Sequence, residues 1–376
     1  MRLRTWTVLP FVLLALVSAG VAQEKGGNDE TGPYEVVPNW PQPLHGTTPG
    51  SWGWGRTAGI WAESADRVFV FQDGELPILE RPIGDGGVPV RPAASAADRG
   101  EKRMEHLLLI FNRDGKLIDS WERHNHLFVR PHSVKIDPYD PERHIWVVED
   151  GAHSIYKFTN DGKQLVMRLG EFKVPGSDET HFARPTSLAF FPNGDFVVSD
   201  GYVNSRVVKF NKDGKFLTSW GMQGEAGKET RPGYMNTVHG VAVDKQGRVY
   251  VSDRSNGRIQ VFDANGRHLD TWPNIRFPLS IGMSADQHLW VNDGLAQKFL
   301  KFDLTGRLLY SWGTFGGEPG QMWGVHAFSV DDEGNLYTAE VWGGRAQKFR
   351  PKRGADRTRL IGPLFDTTPV PARISR

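Results

Sequence analysis

Three histidines recur at one slot of a repeated segment. The copies read Pro131-His132-Ser133-Val134-Lys135-Ile136-Asp137, Val238-His239-Gly240-Val241-Ala242-Val243-Asp244 and Val325-His326-Ala327-Phe328-Ser329-Val330-Asp331. Alternate copies carry Ala58, Thr186 and Leu279 instead. If six copies close into a ring, His132, His239 and His326 face its axis a third of a turn apart. Three imidazoles meeting at one point make a site for a divalent cation with an open fourth position. Such nitrogen donors suit zinc, with iron, cobalt or copper as substitutes in vitro. An open position belongs to catalysis, where the cation polarises an oxygen or lowers the pKa of a bound hydroxyl. The alternative is three structural histidines lining a channel, since the chain has 12 histidines in all.

The elements that would position them repeat as well. Phe111-Asn-Arg-Asp-Gly-Lys, Phe158-Thr-Asn-Asp-Gly-Lys, Phe210-Asn-Lys-Asp-Gly-Lys, Phe262-Asp-Ala-Asn-Gly-Arg and Phe302-Asp-Leu-Thr-Gly-Arg recur, with a degenerate sixth copy at Phe349. Each Asp-Gly or Asn-Gly predicts a hairpin turn, since these residues tolerate positive φ. Alternating strands ending in Trp121, Trp220, Trp272 and Trp312 follow several of them. Short apolar strands with acidic ends precede them, as in Ile145-Trp-Val-Val-Glu-Asp150 and Val249-Tyr-Val-Ser-Asp253. With the histidine-bearing strand each unit holds four strands, which predicts an all-β, six-bladed β-propeller. The expected boundaries are a signal peptide at 1–22, a proline-rich surface segment at 23–50 and the propeller at 51–350. A Pro/Gly-rich insertion at 76–104 interrupts blade one, and 351–376 is an irregular basic tail that closes the ring or hangs loose.

Two residues suit the chemistry of such a centre. Tyr202, in Ser-Asp-Gly-Tyr-Val-Asn-Ser-Arg206, and Arg254, in Ser-Asp-Arg-Ser-Asn-Gly-Arg258, follow second strands at the mouth where those strands end. A phenol serves as a general base beside a cation, and a guanidinium fork holds a carboxylate. Arg206 and Arg258 read as structural. So do Asp150, Asp200, Asp253 and Asp293, whose recurrence points to turn hydrogen bonding. His124 and His126 form a His-x-His pair that reads as solvated, and His153 and His181 have an uncertain register. Phosphate loops, nucleophile elbows and His-Glu-x-x-His helices are absent from the sequence.

Composition excludes other classes. The formal net charge is +1, with basic and acidic residues interspersed, so a nucleic-acid partner is not expected. The chain has no cysteine, which rules out disulfides, thiolate catalysis and thiolate metal sites. Arg2, Arg4 and the apolar run Val8 to Val17, ahead of Ala19-Gly-Val-Ala22, read as a secretion signal. The run is too short to span a bilayer comfortably. A secreted or periplasmic monomer with no membrane span after signal cleavage is expected.

The runs Pro175-Gly-Ser-Asp, His181-Phe-Ala-Arg-Pro-Thr186, Phe196-Val-Val-Ser-Asp-Gly-Tyr-Val-Asn-Ser-Arg206, Gly214-Lys-Phe-Leu-Thr-Ser-Trp-Gly221 and Ser252-Asp-Arg-Ser-Asn-Gly-Arg-Ile-Gln260 resemble peptidyl-α-hydroxyglycine α-amidating lyase (peptidylamidoglycolate lyase), within the NHL-repeat propellers. The resemblance covers roughly residues 50–350. It implies a carbon–nitrogen lyase with one catalytic zinc on His132, His239 and His326, a catalytic Tyr202 and an active-site Arg254. Its reaction splits a peptidyl-α-hydroxyglycine into a peptide amide and glyoxylate. The chain departs from the family in three places. A first-blade arginine in a His-Arg-Gly-Asp context is replaced by Phe71-Gln-Asp-Gly74, leaving Arg56 or Arg81 as substitutes. Ala327 stands where the family has an aspartate that helps bind structural calcium, which argues against calcium. Gly324 replaces a methionine. Two rival readings stay open: a non-catalytic NHL propeller that binds a peptide or protein, and a propeller metalloenzyme for another small substrate.

Overall fold

The computed structural model describes residues 31–45, 51–77 and 102–364. The expected signal peptide, most of the insertion at 76–104, Arg81 and the end of the tail lie outside these residues.

Six four-stranded antiparallel sheets form the blades of a β-propeller. Their innermost strands are Thr57–Ser64, Pro131–Ile136, Pro185–Phe190, Val238–Val243, Pro278–Met283 and Val325–Val330. The second strands, such as Phe196–Asp200 and Val249–Asp253, are buried along their whole length. They are sandwiched between neighbouring blades, which is why they read as unbroken apolar runs. The fourth strands alternate between exposed and covered residues, as Phe216–Trp220 does.

The tryptophans and the Asp-Gly turns explain one another. The glycine of each turn has positive φ and lies under the large side chain that ends the previous blade. A β-carbon on Gly162 would lie 2.2 Å from Trp121. Trp220 covers Gly266, and Trp272 covers Gly306 in the same way. Glycine is needed here both for its backbone conformation and for the missing side chain.

Ring closure differs from expectation. The fourth strand of blade six is Tyr34–Val36, which pairs with Arg345–Pro351 in the register Tyr34↔Pro351 and Val36↔Phe349. It comes from the segment placed outside the propeller, and no hairpin follows Phe349. The packing rule still holds, because Trp312 covers Gly32 and Trp40 lies against Gly115 of blade one. The tail docks beneath this seam. Ile361 is buried and its N–H donates to the Tyr34 hydroxyl at 2.8 Å. No helix among the described residues is long and apolar enough to cross a membrane.

Candidate metal centre

Every innermost strand carries one extra residue near its start. The ladder skips from Thr57 to Gly59, Pro131 to Ser133, Pro185 to Ser187, Val238 to Val241, Pro278 to Ser280 and Val325 to Ala327. The skipped positions include Ala58, His132, Thr186, His239, Leu279 and His326. A bulge re-aims the side chain at its extra residue, and here it turns the repeated slot toward the channel.

The three histidines converge as expected. Their ring centroids are 5.0 Å apart for His132 and His239, 4.5 Å for His132 and His326, and 4.7 Å for His239 and His326. All three are buried. His239 Nδ1–H donates to the Leu279 carbonyl at 2.5 Å, and His326 Nδ1–H to the Ala58 carbonyl at 2.7 Å. Both acceptors are the bulge residues of the next blade, so each bulge also orients the preceding histidine. These bonds fix the tautomer and leave the Nε2 lone pairs facing the axis. His132 Nδ1 is buried without a hydrogen-bond partner among the described residues. Burial, then the fields of His326 and His239, holds the pKa of His132 well below its ordinary value. Burial and Arg254 do the same for His239. Burial, only partly opposed by the Ala58 carbonyl, lowers His326 to about 3. Three neutral imidazoles with too few protons to satisfy their inward nitrogens form a donor set that could hold a metal ion. Ala327, next to His326, packs against an apolar cluster.

Tyr202 and Arg254 sit directly over this centre. The Tyr202 hydroxyl lies 3.1 Å from His132 Nε2 and 3.0 Å from His239 Nε2. Its ring is flanked by the guanidiniums of Arg184 at 4.7 Å, Arg254 at 5.2 Å and Arg130 at 5.4 Å. Arg254 also packs over Phe277 at 4.8 Å, and its buried Nε has no hydrogen-bond partner among the described residues.

The sequence reasoning missed Arg130 and Arg184. With Arg56 they occupy one register, two residues before the bulge in blades one, two and three. The signal was the repeated Arg-x-(Ala/His/Thr) at 56–58, 130–132 and 184–186. Arg56 lies close to the channel, where its charge lowers the pKa of His132 and His326. Arg130 bonds Asp150 at 2.6 Å, Arg184 approaches it at 3.3 Å, and Arg56 lies 3.6 Å from Asp73.

Asp150 belongs with these arginines and not with the strand-end acids. In blade two that structural place is taken by Glu149, which accepts the N–H groups of Val129, Arg130 and Ala152. Asp200, Asp253 and Asp293 do the same in their blades, accepting N–H from Ala183, Asn236 and Arg276. Burial raises Asp150 to about 6 against the pull of Arg130. Arg206 and Arg258 anchor the loops ahead of their blades, donating to Asp200 at 2.9 Å and Asp253 at 2.7 Å. His153 accepts the Arg184 N–H at 3.0 Å and so props the mouth. His181 pairs with Asp178 away from the channel. His124 bonds the Gly162 carbonyl while His126 is exposed, so the pair forms no metal site.

The NHL repeat family matches residues 182–210 and 235–262. The chain is an NHL-repeat β-propeller. This NHL propeller is 32% identical over 212 residues to the peptidylglycine alpha-amidating monooxygenase of Rattus norvegicus, covering 55% of the chain and 20% of that protein. It is 32% identical over 176 residues to peptidyl-alpha-hydroxyglycine alpha-amidating lyase 1 of Drosophila melanogaster, covering 45% and 31%. It is also 34% identical over 179 residues to the human NHL repeat-containing protein 3, covering 44% and 48%. The chain thus spans from a fifth to about half of these relatives. Its fold is shared with a virginiamycin B lyase of Staphylococcus aureus, at 14% identity and TM-score 0.50 over 82% of this chain and 87% of that one. A gluconolactonase of Xanthomonas campestris also shares it, at 15% and 0.51 over 80% and 87%.

Proposed function

We propose that this propeller is an exported, monomeric, zinc-dependent lyase. Its substrate is a peptidyl-α-hydroxyglycine or similar carbinolamide, and its products are an amide and glyoxylate. The observation that carries the reading is the Tyr202 hydroxyl, held within hydrogen-bond reach of two channel imidazoles and beneath Arg254. Similarity to peptidyl-α-hydroxyglycine α-amidating lyases over 42% and 45% of the chain supports it.

His132, His239 and His326 would hold the zinc, which supplies Lewis acidity toward the substrate hydroxyl. Arg254, with an unpartnered Nε, takes the glycine carboxylate through paired N–H donors. Arg56, Arg130 and Arg184 surround the same mouth and favour an anionic substrate over a neutral one. Tyr202, acting as its phenolate, accepts the hydroxyl proton at Oη as the C–O bond becomes a carbonyl. The C–N bond breaks and its electron pair goes to nitrogen. Tyr202 then returns the proton to that nitrogen, so the step consumes neither water nor oxidant. The guanidiniums around the ring offset the negative charge that Oη carries before the first transfer and again after the second.

The test is glyoxylate release from α-hydroxyhippurate by purified protein of known metal content. One zinc per chain together with glyoxylate is the expected result. Zinc without glyoxylate removes the substrate assignment. Protein that cannot be loaded with metal returns the chain to a non-catalytic binding role.

A further inference from the structure

A second cluster of metal-binding side chains lies at the root of the blade-one insertion, apart from the channel. His45 Nε2 is 2.8 Å from Glu75 Oε1, and His106 Nδ1 is 2.9 Å from the same oxygen. The two imidazole rings stand 5.5 Å apart. Glu75 is fully buried, and its other oxygen, Oε2, has no hydrogen-bond partner among the described residues. His106 Nδ1 is likewise buried without an aligned hydrogen bond, despite its closeness to Oε1. A buried carboxylate oxygen left without a donor is costly, and a nitrogen and an oxygen in close approach with no directed proton repel. One ion shared between them removes both penalties.

We propose that His45, Glu75 and His106 bind a second divalent cation of the zinc class. Two imidazoles and one carboxylate are a zinc donor set. The far side of His106 fits the assignment, since its Nε2 lies 3.4 Å from Glu122 Oε1. Metal-binding imidazoles commonly give their second nitrogen to a carboxylate in this way. The ion ties together three separate stretches of chain: the segment after the ring-closing strand, the strand Glu75–Pro77 and the return from the insertion. It also bears on the channel mouth. Gln72 bonds the His106 carbonyl at 2.9 Å and the Gly55 N–H at 3.0 Å, next to Arg56. The cation therefore holds the corner of blade one from which Arg56 projects.

The experiment counts zinc per chain after loading the full-length protein and removing excess, and it uses variants that separate the two sites. Wild type is expected to keep about two ions, His239→Ala about one, and His239→Ala with Glu75→Gln none. His45→Ala guards against misfolding, because His45 is half-exposed on a peripheral segment, and it too is expected to lose one ion. Glu122→Gln is expected to weaken the ion retained by His239→Ala ~10–100-fold. A His239→Ala protein that binds no zinc overturns the proposal, as does a Glu75→Gln or His45→Ala protein that keeps the wild-type count. Glu75 would then be a carboxylate clamped between two histidines without metal.

Discussion

Replacing Tyr202 by phenylalanine isolates one oxygen atom. That oxygen lies 3.1 Å from His132 Nε2 and 3.0 Å from His239 Nε2. The ring it leaves behind keeps its packing, with guanidiniums 4.7 to 5.4 Å from the centroid. The stability cost is then that of one hydrogen bond, about 0.5–1.5 kcal/mol, and the protein stays folded. The zinc ligands are untouched, so metal content stays at the wild-type value. The carboxylate contact belongs to Arg254, so KM changes by no more than a few-fold. Only the proton transfer is lost. A positioned acid–base group is worth about 10²–10⁴-fold, equivalent to about 2.7–5.4 kcal/mol of barrier. The assay is initial-rate glyoxylate release at saturating substrate, beside elemental analysis of the same sample. A Tyr202→Phe enzyme with kcat within about three-fold of wild type would refute the role of the phenol. Loss of zinc in that variant would show that the hydroxyl holds the ligands in place and that any rate loss is secondary.

Arg254→Gln removes a charged donor pair worth about 1.5–3 kcal/mol. It should lower kcat/KM about 10–150-fold for the carboxylate substrate and much less for the corresponding carboxamide; equal losses on both would place the arginine elsewhere. Protons compete with zinc for imidazole nitrogen, so acidification releases metal. Because burial holds His326 near 3 and the other two well below 6.5, channel zinc should survive dialysis at pH 5. The Glu75→Gln variant reports on the channel alone, and half-release near pH 6.5 would contradict the burial argument. Tyr34→Ala opens the seam of the ring, where Tyr34 packs 5.6 Å from Trp312 and accepts the Ile361 N–H. It should cost about 3–5 kcal/mol in denaturant unfolding, and a loss below 1 kcal/mol would mean that the strand Tyr34–Val36 does not close the propeller.

The sequence made the repeat, the six blades and the three-histidine register legible, because turn glycines and strand alternation are local signals. What it hid depended on relations between strands. An added residue in an innermost strand does not show as a bulge until its partner is known, so the mechanism that turns His132, His239 and His326 inward was out of reach. Glu149 and Asp150 are adjacent, and pattern alone could not say which one faces the backbone N–H groups. Arg56, Arg130 and Arg184 share a register, but three different residues follow at the slot, which masked the repeat. Tyr34–Val36 is three residues in a proline-rich stretch, recognisable as a strand only once Arg345–Pro351 lacks a neighbour. His45, Glu75 and His106 are far apart in the chain and carry no motif spacing.

Anomalous diffraction at the zinc edge, from crystals of zinc-loaded protein, tests the central claim most directly. The account predicts a peak on the propeller axis about 2.0–2.1 Å from Nε2 of His132, His239 and His326. Zinc-loaded crystals with no peak among those three rings would contradict it.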